Sequence, residues 1–250
     1  MRSRGNWCAM SLEACADLVQ RGDPDRFAAL MAMPRAVRAD LLPLFAFHLE
    51  VARAPWASKE AMINEMRLQW WRDIIAEPNP RAHEVAAPLH ELIKRKSLPI
   101  DLLDRMIAAR IWDIYSDPFD GEAAFWRYLD DTSGGLYWAS ALVLGGGDEA
   151  PVRATGVAAG LVNYLRAVPE LEKRGRRPLV DGRAQAVRAL AQRALDGMGA
   201  TGPAVLPAYQ ARGLLRQVVA NPMIVADGQM GLSEFDRRFS LLWASLTGRV

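Results

Sequence analysis

Residues 152–171 have the sequence VRATGVAAGLVNYLRAVPEL. The apolar residues recur every three to four positions, which is typical of one face of an α-helix. Ala158, Ala159 and Gly160 are small, so the backbone of another helix can approach closely at this point. The stretch therefore predicts a long helix that packs tightly against a neighbour.

The same periodicity continues on both sides of this stretch, and alternating strand patterns are scarce. Asp23 followed by Pro24 is a typical helix start, and Pro43 predicts a bend or a boundary. The linkers are short and no repeat is visible. We expect one all-α domain over residues 1–250, with eight to ten helices. Besides 152–171, the expected helices lie at 11–21, from 23 onward, and at 34–52, 58–74, 101–115, 122–144 (interrupted or closely packed at 134–135), 184–195, 205–219 and 233–246.

Composition and charge narrow the class of protein. Hydrophobic residues make up 51% of the chain and charged residues 24%, which excludes a disordered chain. The 31 basic and 29 acidic side chains leave a net charge of +2, so no global field favours nucleic acid. No apolar run approaches the roughly 20 residues of a membrane span, and no signal peptide is recognisable. Two cysteines without a C-x-x-C pair predict free thiols in a reducing compartment such as the cytoplasm.

Two familiar patterns lack their structural context. Gly197, Gly199 and Gly202 spell G-x-G-x-x-G, but a helix precedes them and Pro203 follows, so an interhelical loop is expected instead of a dinucleotide site. The three histidines, at positions 48, 83 and 90, form neither a zinc motif nor a recognisable triad, and we expect them at the surface or between helices.

Asp113 and Asp117 are spaced to share one face of a helix, where they could hold magnesium on a diphosphate. Pro118 disfavours helical geometry at its predecessor. Metal binding and a polar helix end both remain open for this pair.

Two further clusters are candidates for binding a partner. The first is basic and is either a solvated loop or a site for an anionic ligand, an acidic protein or a lipid headgroup. The second surrounds two tryptophans, which either pack in the core or stack on a ligand beside arginines. The candidate residues are Lys173, Arg174, Arg176 and Arg177 in the first cluster and Trp70, Trp71 and Arg72 in the second.

In this order, several segments resemble the squalene/phytoene synthase family of prenyl-diphosphate condensing enzymes. The resemblance covers about residues 12–180 and implies the all-α isoprenoid synthase fold, with helices around a central cavity. It also implies two aspartate-rich motifs that hold magnesium ions and ionise an allylic diphosphate. The segments that carry it are 23–27, 44–47, 67–73, 108–113, 128–134 and 160–166.

The sequence departs from the family pattern at both aspartate motifs. Aligned on the resemblance, the first set of aspartates falls on Ala52, Arg53 and Trp56, and the second on Ala167 and Leu171. These departures resemble the non-catalytic branch of the family, which includes the mitochondrial complex I assembly factor. We therefore expect a protein without catalytic or metal-binding residues and without a cofactor, in the cytoplasm or at the inner face of the membrane.

The leading hypothesis is a pseudoenzyme that binds a lipid or isoprenoid, or acts as a complex I assembly-type factor with a respiratory-complex subunit as partner. The alternative is an active prenyltransferase with a divergent magnesium site, and a nucleic-acid binder is the weakest reading. The candidate cavity residues are Glu50, Arg53, Asp113, Asp117, Asn163, Arg166 and Glu170.

Overall fold

A computed structural model describes residues 4–78, 81–115 and 117–250, with side chains from Leu12 onward. Within these residues the chain is helical, and the only β feature is an isolated antiparallel bridge between Thr201 and Arg249. The all-α prediction is confirmed. The α-helices are α1 (Arg4–Gly22), α2 (Pro24–Met31), α3 (Arg35–Arg53), α4 (Ala61–Ala76), α5 (Ala86–Lys96), α6 (Ile100–Ala108), α7 (Ile111–Ile114), α8 (Gly121–Leu129), α9 (Gly135–Val143), α10 (Glu149–Lys173), α11 (Ala184–Gly197), α12 (Ala211–Ala220), α13 (Met223–Ala226) and α14 (Glu234–Thr247).

The described residues fall into two compact units. Unit 1 comprises those up to Tyr115 together with Ala139–Gly146, and unit 2 comprises those of 117–138 and 147–250. The first part of α9 therefore belongs to unit 2 and the rest to unit 1. That the whole chain is one domain stays a prediction.

The core of unit 1 is built around α3. Leu41, Leu44 and Phe47 are fully buried, and α1, α2 and α5 pack against this helix. The helix runs through Pro43, so this proline marks no boundary. Asp23 caps α2 as predicted, since its Oδ1 accepts a hydrogen bond from the Arg26 N–H at 3.0 Å.

Three helix predictions in unit 1 need correction. α1 begins at Arg4, well before the predicted start at residue 11. The predicted helix 101–115 is two helices, because the chain turns at residues 109–110 between α6 and α7. α5 was not expected; Pro88 interrupts its pattern but lies in the first turn, where a missing N–H costs no intrahelical bond.

In unit 2, α10 packs against a π-helical segment, Asp130–Gly134, which joins α8 to α9. A Cβ added at Gly156 would lie 2.9 Å from Tyr137 Cβ, and one at Gly160 would lie 2.6 Å from Ser133 Cβ. The close packing expected around 134–135 and at Gly160 is therefore present, and the helix interruption takes the form of the π segment.

Candidate functional site

The cleft in unit 1 brings together residues from the two groups of candidates. It has a volume of about 420 Å³ and lies between the end of α3, the middle of α4 and the segment before α5. Glu50 and Arg53 come from the predicted cavity set, and Trp70 and Trp71 from the predicted partner set. The lining residues are Glu50, Arg53, Ala54, Ala57, Arg67, Trp70, Trp71 and His83.

Aromatic rings form one wall of this cleft. The centroids of Trp70 and Trp71 are 4.8 Å apart at an interplanar angle of 80°, and Trp71 also contacts Phe47 edge-on at 5.4 Å. Trp71 is buried, whereas Trp70 is half-buried. Trp71 thus anchors the wall in the core, and Trp70 presents part of its indole to the cleft.

His83 completes the aromatic wall and fixes the start of α5. Its ring lies 5.0 Å from Trp70 and 5.6 Å from Trp71. Nδ1 accepts hydrogen bonds from the backbone N–H groups of Val85 and Ala86 at 3.2 and 3.3 Å.

The charges at the cleft are mixed, with two arginines and one carboxylate. Arg53 and Arg67 are exposed and Glu50 is half-buried. Such a site can hold an anionic group on the arginines while an apolar portion rests on the indole of Trp70. It offers one carboxylate, which is too few oxygen ligands for magnesium.

Arg72, which was predicted to bind a partner, does not line the cleft. Its Nε and Nη2 donate to the two carboxylate oxygens of Asp104 at 2.6 and 2.9 Å, so it joins α4 to α6. This bidentate geometry raises the pKa of Arg72 through the hydrogen bonds and the charge of Asp104.

Asp113 and Asp117 do not share a helix face. α7 ends at Ile114 and Tyr115 is extended, so Asp117 lies outside the helix. Asp113 is buried and pairs with Arg110 at 3.1 Å. The proline at 118 explains the break, since it disfavours helical geometry before it.

On α10, the candidate Asn163 and the two aligned positions, Ala167 and Leu171, do not all lie on one face. Asn163 and Ala167 are exposed but Leu171 is buried, because eight residues turn a helix about 80° beyond two full turns. Arg166 donates to Gln210 Oε1 at 3.5 Å, and Glu170 pairs with Arg174 at 2.9 Å. Lys173, Arg174 and Arg177 are exposed at the end of α10 and after it, and Arg176 is half-buried there.

A buried polar group lies beneath the surface of unit 1. His48 is buried on α3, and burial lowers its pKa well below the ordinary value; the positive charges of Arg26 and Arg110 lower it further. Nε2 of His48 has no hydrogen-bond partner among the described residues. Among all the residues that the structure describes, no three His, Cys, Asp or Glu side chains come together as a group that could hold a metal ion.

Sequence reasoning missed four lining residues, two alanines and the polar residues Arg67 and His83. Arg67 lies in the tryptophan cluster and could have been selected, since it precedes Trp70 and Trp71 by about one helical turn. His83 carries no local signal, because histidine is not a usual helix cap and α5 was not predicted.

A model of the squalene/phytoene synthase family matches residues 19–180, more than half of the chain. The chain belongs to the squalene/phytoene synthase family. The mouse and human proteins named NADH dehydrogenase (ubiquinone) complex I, assembly factor 6, are 27% and 26% identical to it over 161 residues. That match covers 62% of this chain and 48% of theirs, so the chain spans about half the length of these relatives.

Solved structures of the family have the same fold. A dehydrosqualene synthase in complex with ligand superposes with a TM-score of 0.72 at 12% identity, covering 96% of each chain. The squalene synthase HpnC from Alicyclobacillus acidocaldarius gives a TM-score of 0.62 at 16% identity, covering 94% of this chain and 90% of that one. At these identities the likeness establishes the fold. None of the helices among the described residues is long and apolar enough to cross a membrane.

Proposed function

We propose that this member of the squalene/phytoene synthase family lacks diphosphate chemistry and acts as a binding or assembly factor. The observation that carries the proposal is the chemistry of five aligned positions. A departing diphosphate carries about three negative charges and needs magnesium or its equivalent, which in turn needs oxygen ligands. The five positions are occupied by Ala52, Arg53, Trp56, Ala167 and Leu171, none of which carries a carboxylate.

The remaining acidic residues do not compensate for this deficit. Glu50 is the single carboxylate that lines the cleft, Asp113 pairs with Arg110 and Glu170 pairs with Arg174. The residues present therefore do not fit the magnesium cluster that the family implies, and we assign no catalytic step to this chain.

Similarity to complex I assembly factor 6 supports a role in assembly in preference to synthesis. By extension, we propose that the protein works at the inner face of a respiratory membrane, with a respiratory-complex subunit or a lipid or isoprenoid as its partner. The cleft is our candidate for the binding site. Its two arginines suit an anionic group and Trp70 suits an apolar chain or side chain.

The first experiment tests catalysis. The purified protein is incubated with magnesium and labelled farnesyl or geranylgeranyl diphosphate, with an active family member as positive control. We expect no condensed product and no release of diphosphate. Formation of squalene or phytoene would overturn the proposal and support the alternative of an active prenyltransferase with a divergent metal site.

The second experiment tests the cleft. Mass spectrometry identifies lipids and proteins that copurify with the wild type, with Trp70→Ala and with Met66→Ala. Met66 is exposed on the same helix and does not line the cleft, so it is the matched control. We expect Trp70→Ala to lose a partner that Met66→Ala keeps. Equal recovery with both variants would place binding elsewhere.

A further inference from the structure

The helix α14 presents its apolar face to solvent. Five of its six large apolar side chains lie on one side of the helix and form one stripe. All five are more than half exposed, whereas Leu241 lies on another face and is half-buried, and in α14 only Ala244 is buried. A surface helix ordinarily buries its apolar stripe against the core. α14 instead exposes it to solvent. The stripe consists of Phe235, Phe239, Leu242, Trp243 and Leu246.

The aromatic members of this stripe are ordered against one another. Phe235 and Phe239 stack with centroids 6.0 Å apart at 12°, and Phe239 and Trp243 stack at 6.5 Å and 21°. Ser233 caps the helix, since its Oγ accepts a hydrogen bond from the Asp236 N–H at 3.1 Å. The stripe is therefore a preformed surface on a capped helix.

Three arginines flank the stripe. They line a groove of about 730 Å³ that also contains Phe239 and Trp243. Arg212 donates hydrogen bonds to the backbone oxygens of Val250 and Met198 at 3.0 and 3.1 Å. Arg216 and Arg249 are exposed. Among the described residues, no Asp or Glu side chain forms an ion pair with any of these three arginines.

We propose that α14 and these arginines dock on an anionic lipid surface. Phenylalanine, tryptophan and leucine side chains partition into the boundary between headgroups and acyl chains, and neighbouring arginines bind the lipid phosphates. The charge pattern disfavours a second copy of the chain as occupant. A symmetric contact through this stripe would gather both sets of groove arginines at one interface. The carboxylates of α14 are already engaged, because Glu234 pairs with Arg237 and Arg238 and Asp236 accepts a hydrogen bond from Ser233.

The experiment measures cosedimentation of the full chain with vesicles. The wild type is expected to bind vesicles of phosphatidylcholine and phosphatidylglycerol more tightly than phosphatidylcholine alone, and added salt is expected to weaken binding. The double variant Phe235→Glu/Leu246→Glu is expected to bind the anionic vesicles at least roughly tenfold more weakly. Both side chains are about three-quarters exposed, at 74% and 76%, so the fold tolerates the change.

Matched variants isolate the surface. Ser245→Glu adds a carboxylate to another face of α14 and is expected to lose less affinity than the double variant. Arg216→Glu is expected to weaken binding roughly fivefold, whereas Arg188→Glu, at an exposed arginine of α11, is expected to have less effect.

Two results would overturn the proposal. One is a wild type that does not distinguish anionic from neutral vesicles. The other is a dimer, seen by light scattering, that the double stripe variant dissociates, since a second copy would then cover the stripe. Neither result bears on the catalytic test, because the docking surface does not depend on the proposed function.

Discussion

At the scale of single residues, His48 links stability to pH. Its pKa in the folded protein is lowered by burial and by Arg26 and Arg110, whereas an unfolded chain gives histidine a pKa of about 6.5. Below about pH 6.5 the unfolded state therefore binds a proton that the folded state does not bind. The contribution of His48 to the free energy of unfolding is therefore complete above about pH 6.5. As the pH falls below this value, the free energy of unfolding decreases by up to about 1.4 kcal/mol per pH unit for one proton.

The variant His48→Gln removes this titration. We expect urea unfolding between pH 5.5 and 7.5 to give a shallower pH dependence for the variant than for the wild type. The lowered pKa values of Asp40 and Asp181 do not interfere, because their stabilisation is lost only at a more acidic pH. Parallel curves for the two proteins would contradict the prediction.

Asp23 holds α2 in two ways that can be separated. One carboxylate oxygen caps the helix at the Arg26 N–H, and the other lies 3.4 Å from the Arg26 guanidinium, which is itself buried. Asp23→Ala removes the cap and leaves a buried charge, with an expected loss of about 2–4 kcal/mol in unfolding free energy. Asp23→Asn keeps a capping oxygen and should recover about 1 kcal/mol. Chemical denaturation of both variants checks this order, and equal losses would mean that the cap contributes nothing.

At the scale of helices, Gly156 sets the approach of α10 to the π segment. An added methyl group would meet Tyr137 Cβ at 2.9 Å, the Ser133 carbonyl at 3.0 Å and Gly134 Cα at 3.1 Å. Backbone atoms cannot swing aside, so Gly156→Ala should destabilise the protein by about 1–2 kcal/mol, despite the better helix propensity of alanine.

Gly197→Ala is the control for this substitution. Its new methyl group would lie 3.6 Å from Ala154 Cβ, an ordinary van der Waals contact. We expect a change below about 1 kcal/mol. Thermal unfolding compares the two variants, and a Gly156→Ala protein as stable as Gly197→Ala would show that the helices can separate without cost.

The helices differ in how far their sequences predict them. Asp23 with Pro24 and Ser233 each mark a start through a known capping chemistry, so α2 and α14 were placed correctly. α5 was missed because Pro88 masks its pattern, and the N–H groups at its start donate to Nδ1 of His83, a residue type that rarely caps a helix. Periodicity identifies a helix, but a cap supplied by an unusual residue has no sequence signal.

The same limit applies to the candidate site. Glu50, Arg53, Trp70 and Trp71 were selected for different reasons, and only the fold brings them to one cleft. Arg72 follows Trp71 directly in sequence, but a helix turns 100° per residue and points it toward Asp104 instead. Residue type predicts which side chains can take part in binding or catalysis. Which of them lie next to one another depends on contacts between segments far apart in the chain.

At the scale of the whole molecule, binding of magnesium and pyrophosphate distinguishes a retained metal site of the family from a site that has been lost. The measurement needs no catalytic turnover. A ligand raises the melting temperature only by binding the folded state. The aligned positions lack carboxylates, and no metal-holding acidic or histidine group exists among the described residues. We therefore expect magnesium to add nothing to the melting temperature that pyrophosphate alone gives at equal ionic strength. Arginine side chains can bind pyrophosphate without metal, so a rise with pyrophosphate alone would agree with our proposal that Arg53 and Arg67 of the cleft hold an anionic group. A rise that requires both components and grows with their concentration would instead reveal a working cluster, and it would contradict the view that this chain has kept the fold and given up the chemistry.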